Sequence, residues 1–486
     1  MSTVAPDRYR KQFILTCSKD FDLPWESKSI DSYRLYFHPE LETYHTRNGD
    51  LELYLLGFLY DYRKPELGNS EILELLSRSS SFEEFIESLS HFSGHFVIIY
   101  HSGDDLRILN DAGAQKEIYY DSNFTSLGST PKLLGRSVRV VPHTSPDAIS
   151  FYSSSEFLRR KEYIADTTHL KNIHHLFANH SIDLNKKQVE RYFPNKAIEP
   201  VSVSRASELA REMLTGFIKA ASLRKKLSMG VTGGYDSRTL FLASVGVDCR
   251  YYVSKLDHMS DDHYDITVPL RLTESFNKEF KVITDRRDLD TDEKRLMDES
   301  IDYPRYPKKL GEFFNDHIIV NGSLSEIARN VFEYHRKVNG KDLAYLYGYM
   351  NDRFVEKEYQ EWLDNSKHYF RDYGYNVLDM FYWEERIGNW AAKAKTEMSS
   401  LGREVYSPYS SHLLLETLLS TPRRQRDRQR NKLYNLIIKE FSPENSNIPV
   451  NPHSKNKLQK LMKTMGIYDL SQKTRLKLRL RPPWYH

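Results

Sequence analysis

No apolar run in this chain reaches the roughly 20 residues that a membrane-spanning helix needs, so helical insertion into a bilayer is not expected. Cysteine is almost absent: Cys17 and Cys249 are the two in 486 residues. So few and so far apart, they offer no disulfide framework, and the cytoplasm is the expected location. The opening residues, Met1-Ser2-Thr3-Val4-Ala5-Pro6-Asp7-Arg8, lack the apolar core of a signal peptide. An excess of one charge is missing too. Lys and Arg number 70 against 67 Asp and Glu, and a net charge of +3 is too mild to argue for a nucleic-acid partner. There is no internal repeat and no low-complexity segment. What the chain does have is 39% hydrophobic residues, enough for real cores, in a length that suits two or three domains.

The most informative stretch is LSMGVTGGYDSR, residues 227–238. Its apolar start, ending at Val231, reads as a buried strand. Gly233 and Gly234 follow, and Thr239-Leu240-Phe241-Leu242-Ala243 reads as a helix. A strand that turns through glycines into a helix aims the free N–H groups of the first turn at an anion, at the positive end of the helix dipole. Gly233 and Gly234 have no Cβ, so a phosphate can approach the backbone. Thr232 and Ser237 add hydroxyl donors. Asp236 suits a phosphate site only with a Mg²⁺ between the two. No Lys-Ser or Lys-Thr pair follows the last glycine, and the spacing is not G-x-G-x-x-G, so neither of those phosphate loops is present. The alternative is an ordinary Gly-Gly turn with a capping Asp.

Residues 8–142 read mostly as strands, at 13–17, 51–56, 95–100 and 106–109. Two helices interrupt them, at 70–76 and 81–89, the second with Ser81 as N-cap and Glu84 closing a capping box. Such layering suggests an α+β sandwich. Pro194 to Ser204 reads as a linker, with a helix cap at Ser204. Beyond it strands and helices alternate: a helix over 205–223, the glycine loop, a strand at 249–254, a helix at 265–275 and a strand at 280–283. Alternation implies a parallel sheet, whose ligand lies beyond the carboxyl ends of its strands. Val253 and Ser254 would end one such strand and line a bound nucleotide. Residues 318–329, IIVNGSLSEIAR, repeat the strand, small turn and helix. Residues 422–433 are the most basic run, which by itself reads as a solvated helix face.

These stretches, in this order, resemble the asparagine synthetase family. Thr-Gly-Gly-Tyr-Asp-Ser at 232–237 is similar to its pyrophosphate loop, Ser-Gly-Gly-x-Asp-Ser, with Thr232 keeping the hydroxyl. GFLYD at 57–61, SGHFVIIY at 93–100, LNDAGAQKEIYY at 109–120 and LGSTPKLL at 127–134 resemble its glutaminase-type domain. The resemblance implies an N-terminal-nucleophile (Ntn) hydrolase-like αββα sandwich over 1–194 and a linker at 195–204. Over 205–486 it implies a parallel α/β domain of the adenine-nucleotide α-hydrolase-like (HUP, PP-loop) kind. Working glutaminases of the family carry Cys directly after the initiator Met. Here Ser2 stands there, Cys17 lies at the far end of the first strand, and Asp61 ends a motif that usually ends in Asn. An inactive glutaminase domain is therefore expected, with a Ser2 nucleophile as the alternative.

For the second half the resemblance implies ATP and Mg²⁺. The phosphates would lie over 231–237 and beside Gly322, with Asp236 and Glu326 on the metal, although Ser325 replaces the family's Asp and Gly322 an acidic residue. For Glu326 the alternative is a carboxylate stabilising a helix start through the dipole. Glu385-Arg386 stands at the family's Asp-Arg helix, and Tyr406 replaces an Arg of its Glu-Val-Arg-x-Pro-Phe segment. Lys432 falls at the lysine that neutralises departing pyrophosphate. The implied activity is a carbon–nitrogen ligase that adenylates a small-molecule or peptide carboxylate for attack by ammonia or an amine, as in natural-product or surface-glycan chemistry. No nucleic acid or membrane partner is implied, and a homodimer is an allowed assembly. The competing reading is a nucleotide-binding pseudoenzyme with a scaffolding or regulatory role.

Overall fold

The computed structural model describes residues 8–18, 21, 23–310, 314, 316–334, 337–428, 431–445, 447–450, 461–462, 465, 467–478 and 480. Ser2 and Arg430 lie outside them. The first twelve strands are β1 (Phe13–Thr16), β2 (Glu26–Ile30), β3 (Tyr33–Phe37), β4 (Thr43–Asn48), β5 (Leu51–Asp61), β6 (Phe92–Ser102), β7 (Asp105–Asn110), β8 (Tyr119–Asp121), β9 (Ser126–Gly128), β10 (Ile173–His175), β11 (His180–Asp183) and β12 (Gln188–Arg191). They form two antiparallel sheets of six strands, ordered β10-β8-β9-β1-β3-β2 and β12-β11-β7-β6-β5-β4.

Alternation along the strands builds the layers. Tyr54 and Leu56 of β5 join Phe13, Leu15, Leu35, Val97 and Ile99 in a core shared by both sheets. Leu53 and Leu55 turn to the other side, with Ile72, Leu73 and Phe85 of the helices Asn69–Leu76 and Phe82–Leu89. Ile14, Tyr119 and Ile173 lie with Leu133, Leu134 and Phe151 on the outer side of the other sheet. Helices thus cover both outer faces of two sheets packed face to face. Ser81 caps its helix as expected, but Glu84 reaches past it to the backbone N–H and hydroxyl of Ser80.

The remaining strands are β13 (Lys226–Gly230), β14 (Cys249–Ser254), β15 (Phe280–Ile283), β16 (His317–Val320) and β17 (Val405–Tyr406). They form one sheet, β15-β14-β13-β16-β17, parallel throughout. The helices Tyr235–Ser244 and Tyr264–Ser275 make its first crossovers. The helix before β13 is Val203–Arg224, and its cap is Ser202, which accepts from the Arg205 N–H, not the expected Ser204. Two residues decide how this helix sits. Gly216 rides on the backbone after β5, where a Cβ would fall 2.3 Å from the Tyr62 carbonyl oxygen. Arg224 donates to the Leu59 carbonyl and to Asn69. The parallel sheet is thereby bolted to the antiparallel pair. Both cysteines are free, and no helix among the described residues is long and apolar enough to cross a membrane.

Candidate functional site

The order of the parallel sheet locates the site by topology. From β13 the chain steps outward through β14 to β15, then returns to place β16 on the other side of β13. The turns after β13 and β16 therefore part in opposite directions, and the crevice between them is where open parallel sheets bind ligands. Both glycine-bearing turns singled out in the sequence emerge at this crevice. Val253 and Ser254 end the neighbouring strand β14 on the same carboxyl edge.

Gly234 is the N-cap of the helix Tyr235–Ser244, extended at φ −82° and ψ 173°, and Asp236 lies in the first turn. Val231 is buried and held by its N–H on the Tyr252 carbonyl oxygen, 2.8 Å. The loop also braces itself: the Thr232 N–H donates to Ser237 Oγ at 2.9 Å, and the two hydroxyls lie 2.9 Å apart. The Gly233 N–H, expected to face a phosphate, donates to Asp265 Oδ1 at 2.8 Å. An anion thus sits on the loop already, supplied by the helix Tyr264–Ser275.

The second turn comes hard against the first. A Cβ on Gly322 would lie 2.6 Å from Asp236 Cβ, so the approach needs a glycine. Gly322→Ala should therefore force the turns apart, at about 1–3 kcal/mol of overpacking. A urea denaturation midpoint equal to wild type would show instead that the turn has room. Past it the chain makes not the expected α-helix but a short 3₁₀ turn, Ser325–Arg329, entered through Leu324 at φ 75°. Ser325, standing where an acid was expected, donates its hydroxyl to Asp236 Oδ1. Arg329 then joins the two carboxylates: one of its terminal nitrogens is 3.0 Å from Asp236 Oδ2 and 2.7 Å from Glu326 Oε1. Tyr382 donates to the other Glu326 oxygen.

Burial raises the Asp236 pKa and the Glu326 charge adds to this, against Arg329 and Ser325. Burial opposes ionisation of Glu326 as well, but Arg329, the Tyr382 hydroxyl, Arg386 and Arg428 outweigh it and hold that carboxyl below its usual range. Among the described residues no three His, Cys, Asp or Glu side chains converge as a metal cage. Mg²⁺ does not require one, because it takes one or two carboxylates and completes its shell with phosphate and water oxygens. Two carboxylates converging on one cation, here Arg329, fit that donor set.

Lys432 is the first residue of the helix Lys432–Phe441, capped by Asn431, and its side chain is exposed. This helix is tied to both turns by Tyr434, whose hydroxyl donates to the Ser325 carbonyl at 3.1 Å and whose ring lies 6.0 Å from that of Tyr235. The start of the helix thus lies at the crevice end of the sheet. The basic run before it is a solvated face only in part, at Arg424 and Arg428. Arg423 and Arg426 both reach Asp379, at 3.3 and 2.8 Å, and Arg426 is buried.

Glu385-Arg386 lies in a ten-residue π-helix, Tyr382–Ala391. Wide turns of this kind occur often at functional sites. Tyr406 is buried against Tyr60 and Phe58 and donates to Ser93 Oγ at 3.1 Å. A last tie crosses from the antiparallel half: Gln115 donates to Ser323 Oγ at 3.3 Å and accepts from Lys395, which burial pushes down to about 7.

No protein-family model matches the chain, and no curated protein matches it. Among the solved structures with limited similarity are two enzymes. One is an allosteric regulatory enzyme of purine biosynthesis, 10% identical, with 61% of this chain and 74% of that one covered at a TM-score of 0.24. The other is glutamine phosphoribosylpyrophosphate amidotransferase from B. subtilis in complex with ADP and GMP, 9% identical, with 67% and 72% covered at 0.24. Similarity at this level carries no argument about fold or activity. The crevice rests on its own geometry.

That geometry brings Thr232, Gly233, Gly234, Asp236, Ser237, Gly322 and Glu326 together and sets the Lys432 helix beside them. Sequence reasoning missed Arg329, Asp265, Tyr382 and Tyr434. Arg329 had a local signal, its position three residues after Glu326 in a turn.

Proposed function

We propose that the chain is an ATP-dependent carbon–nitrogen ligase of the asparagine synthetase kind. It would activate a carboxylate as an acyl-adenylate and join it to ammonia or a substrate amine. The observation that carries this reading is the meeting of two glycine-bearing turns, after β13 and after β16, at the switch point of a five-stranded parallel sheet. In the reaction a carboxylate oxygen attacks the α-phosphorus of ATP, the bond to the bridging oxygen breaks, and pyrophosphate leaves. The nitrogen lone pair then attacks the acyl carbon, the C–O bond to AMP breaks, and the surplus proton goes to water.

The roles follow from position. The N–H groups at 233–236, with Thr232 and Ser237, would cradle the pyrophosphate, Asp265 giving way as it enters. Asp236 and Glu326 would hold Mg²⁺, which when bound offsets phosphate charge. Lys432 would stabilise charge on the leaving group. Val253 and Ser254 would border the adenine. This corresponds to a HUP-type synthetase half beside an Ntn-type half without glutaminase chemistry, so nitrogen would arrive as ammonia or as an amine.

Two observations favour the second reading, a nucleotide-binding pseudoenzyme: Arg329 stands between the carboxylates, and Asp265 holds the Gly233 N–H. ATP–pyrophosphate exchange measured across a panel of carboxylic acids separates the two. Exchange stimulated by one acid class and abolished without Mg²⁺ is expected. ATP binding with no exchange for any acid would establish the pseudoenzyme.

A further inference from the structure

Glu326 also lines a cavity of about 460 Å³, to which the glycine loop contributes no residue. The polar part of its wall, besides Glu326, draws on four distant segments: Arg159, Arg160 and Glu162; Arg305; Tyr382, Arg386 and Trp390; and Arg428. Phe332, Leu346 and Tyr347 supply its apolar part. Spaced four apart on the π-helix, Tyr382, Arg386 and Trp390 face it together.

Much of the charge in this wall is already answered. Arg159 pairs with Glu156 and Arg305 with Glu397. Glu162, fully buried, is answered twice, by Arg160 and by Arg386 at 3.4 Å. Five arginines nonetheless line the wall, Arg159, Arg160, Arg305, Arg386 and Arg428, against two carboxylates, Glu162 and Glu326, so the lining carries an excess of positive charge. The aromatic groups are set for a flat guest. The Arg386 guanidinium lies 3.8 Å from the centre of the Trp390 ring, and that indole stays 38% exposed. Arg160 lies 4.1 Å from the Tyr349 ring. At roughly 30 Å³ per water, the space corresponds to about fifteen waters, well beyond the needs of one carboxylate.

We infer that this cavity holds the body of the acid that is activated: a small molecule with a flat, apolar segment and a second anionic group, carboxyl or phosphoryl, besides the carboxylate presented at the Glu326 edge. The inference rests on the ligase reading for which end reacts, but not for binding. The surplus charge selects the anion, Arg386 and Arg428 give it fork-shaped donors, and Trp390, Tyr347 and Phe332 give the flat segment a surface.

Calorimetry on the whole protein without nucleotide tests it, with terephthalate, 4-carboxyphenyl phosphate, benzoate and benzyl alcohol as probes. Terephthalate or 4-carboxyphenyl phosphate should bind, and which of the two binds more tightly tells carboxyl from phosphoryl preference. Benzoate should bind about tenfold more weakly, and benzyl alcohol not at all. Arg386→Gln and Arg428→Gln should each weaken terephthalate and 4-carboxyphenyl phosphate by about tenfold. Arg428 is exposed, so its variant reports even if Arg386→Gln fails to fold. Equal binding of all four probes, or no effect of Arg428→Gln, would overturn the inference. So would displacement of the two acids by ATP–Mg²⁺, since the arginines would then serve the nucleotide. ATP–Mg²⁺ binding is measured on the same samples. If ATP binds and neither terephthalate nor 4-carboxyphenyl phosphate does, the cavity assignment fails while the ligase reading stands. If either acid binds and ATP does not, the ligase reading fails alone.

Discussion

Asp236→Ala is expected to lower turnover by at least two to three decades and to remove the Mg²⁺ dependence of ATP binding. This carboxylate is the junction of the two turns. It lies in the first turn of the helix Tyr235–Ser244, receives the Ser325 hydroxyl and faces Arg329 at 3.0 Å. Without it, Arg329 keeps Glu326 alone, and a metal would find one carboxylate where two now converge. Loss of a single contact of this kind to a developing charge costs about 2.7–4 kcal/mol of transition-state stabilisation. Asp236→Asn separates charge from shape. Its amide oxygen can still accept from Ser325, so the fold should suffer less than in the Ala variant, while activity should fall as far. Calorimetry of ATP with and without Mg²⁺, beside turnover, reads both effects. An Asn variant with wild-type metal dependence would remove Asp236 from the metal and leave it as a helix-start carboxylate.

The two turns were legible in the sequence because their signals are local. Buried parallel strands are short apolar runs, and those at Cys249–Ser254 and Phe280–Ile283 have the bounds expected of them. Two glycines between a strand and a helix announce themselves in the same way. What stayed hidden is what the fold brings from a distance. Asp265 reaches Gly233 from 32 positions away, and no periodicity encodes that meeting. The basic run at 422–433 looks solvated throughout until Asp379, 44 and 47 residues earlier, is seen to take Arg423 and Arg426. The turn after Gly322 misled for a local reason: it is entered through Leu324 and left through Asn330, both left-handed, a conformation uncommon for residues with a Cβ, and five residues between two such ends make a 3₁₀ turn and not an α-helix. The cavity was out of reach altogether, since its arginines come from four segments whose spacing carries no period.

The same hidden pairs decide how Lys432 must be tested. Lys432→Ala should lower turnover by roughly two to three decades while ATP affinity changes much less. A contact that strengthens only as pyrophosphate departs acts on the transition state and not on the ground state. The helix that carries Lys432 is fixed by Leu433, Tyr434 and Ile437, all buried, with Tyr434 bonded to the Ser325 carbonyl. Its first residue is therefore held at the crevice while the ammonium remains free to swing. Asn431 caps this helix through the Tyr434 N–H, so truncation of the exposed Lys432 side chain should leave the fold intact. The control for the general basic field cannot be Arg426, because that side chain is buried on Asp379 and its loss acts on the fold. Arg424, exposed in the same run, is the proper comparison, and a surface charge of this kind contributes little by itself. Single-turnover rates and ATP dissociation constants for Lys432→Ala and Arg424→Ala then separate the outcomes. A large rate loss confined to Lys432 assigns it to the leaving group. Equal small losses in both variants would mean that the run acts as a diffuse positive surface and that pyrophosphate is neutralised elsewhere, with Arg329, which touches Asp236 and Glu326, the next residue to test.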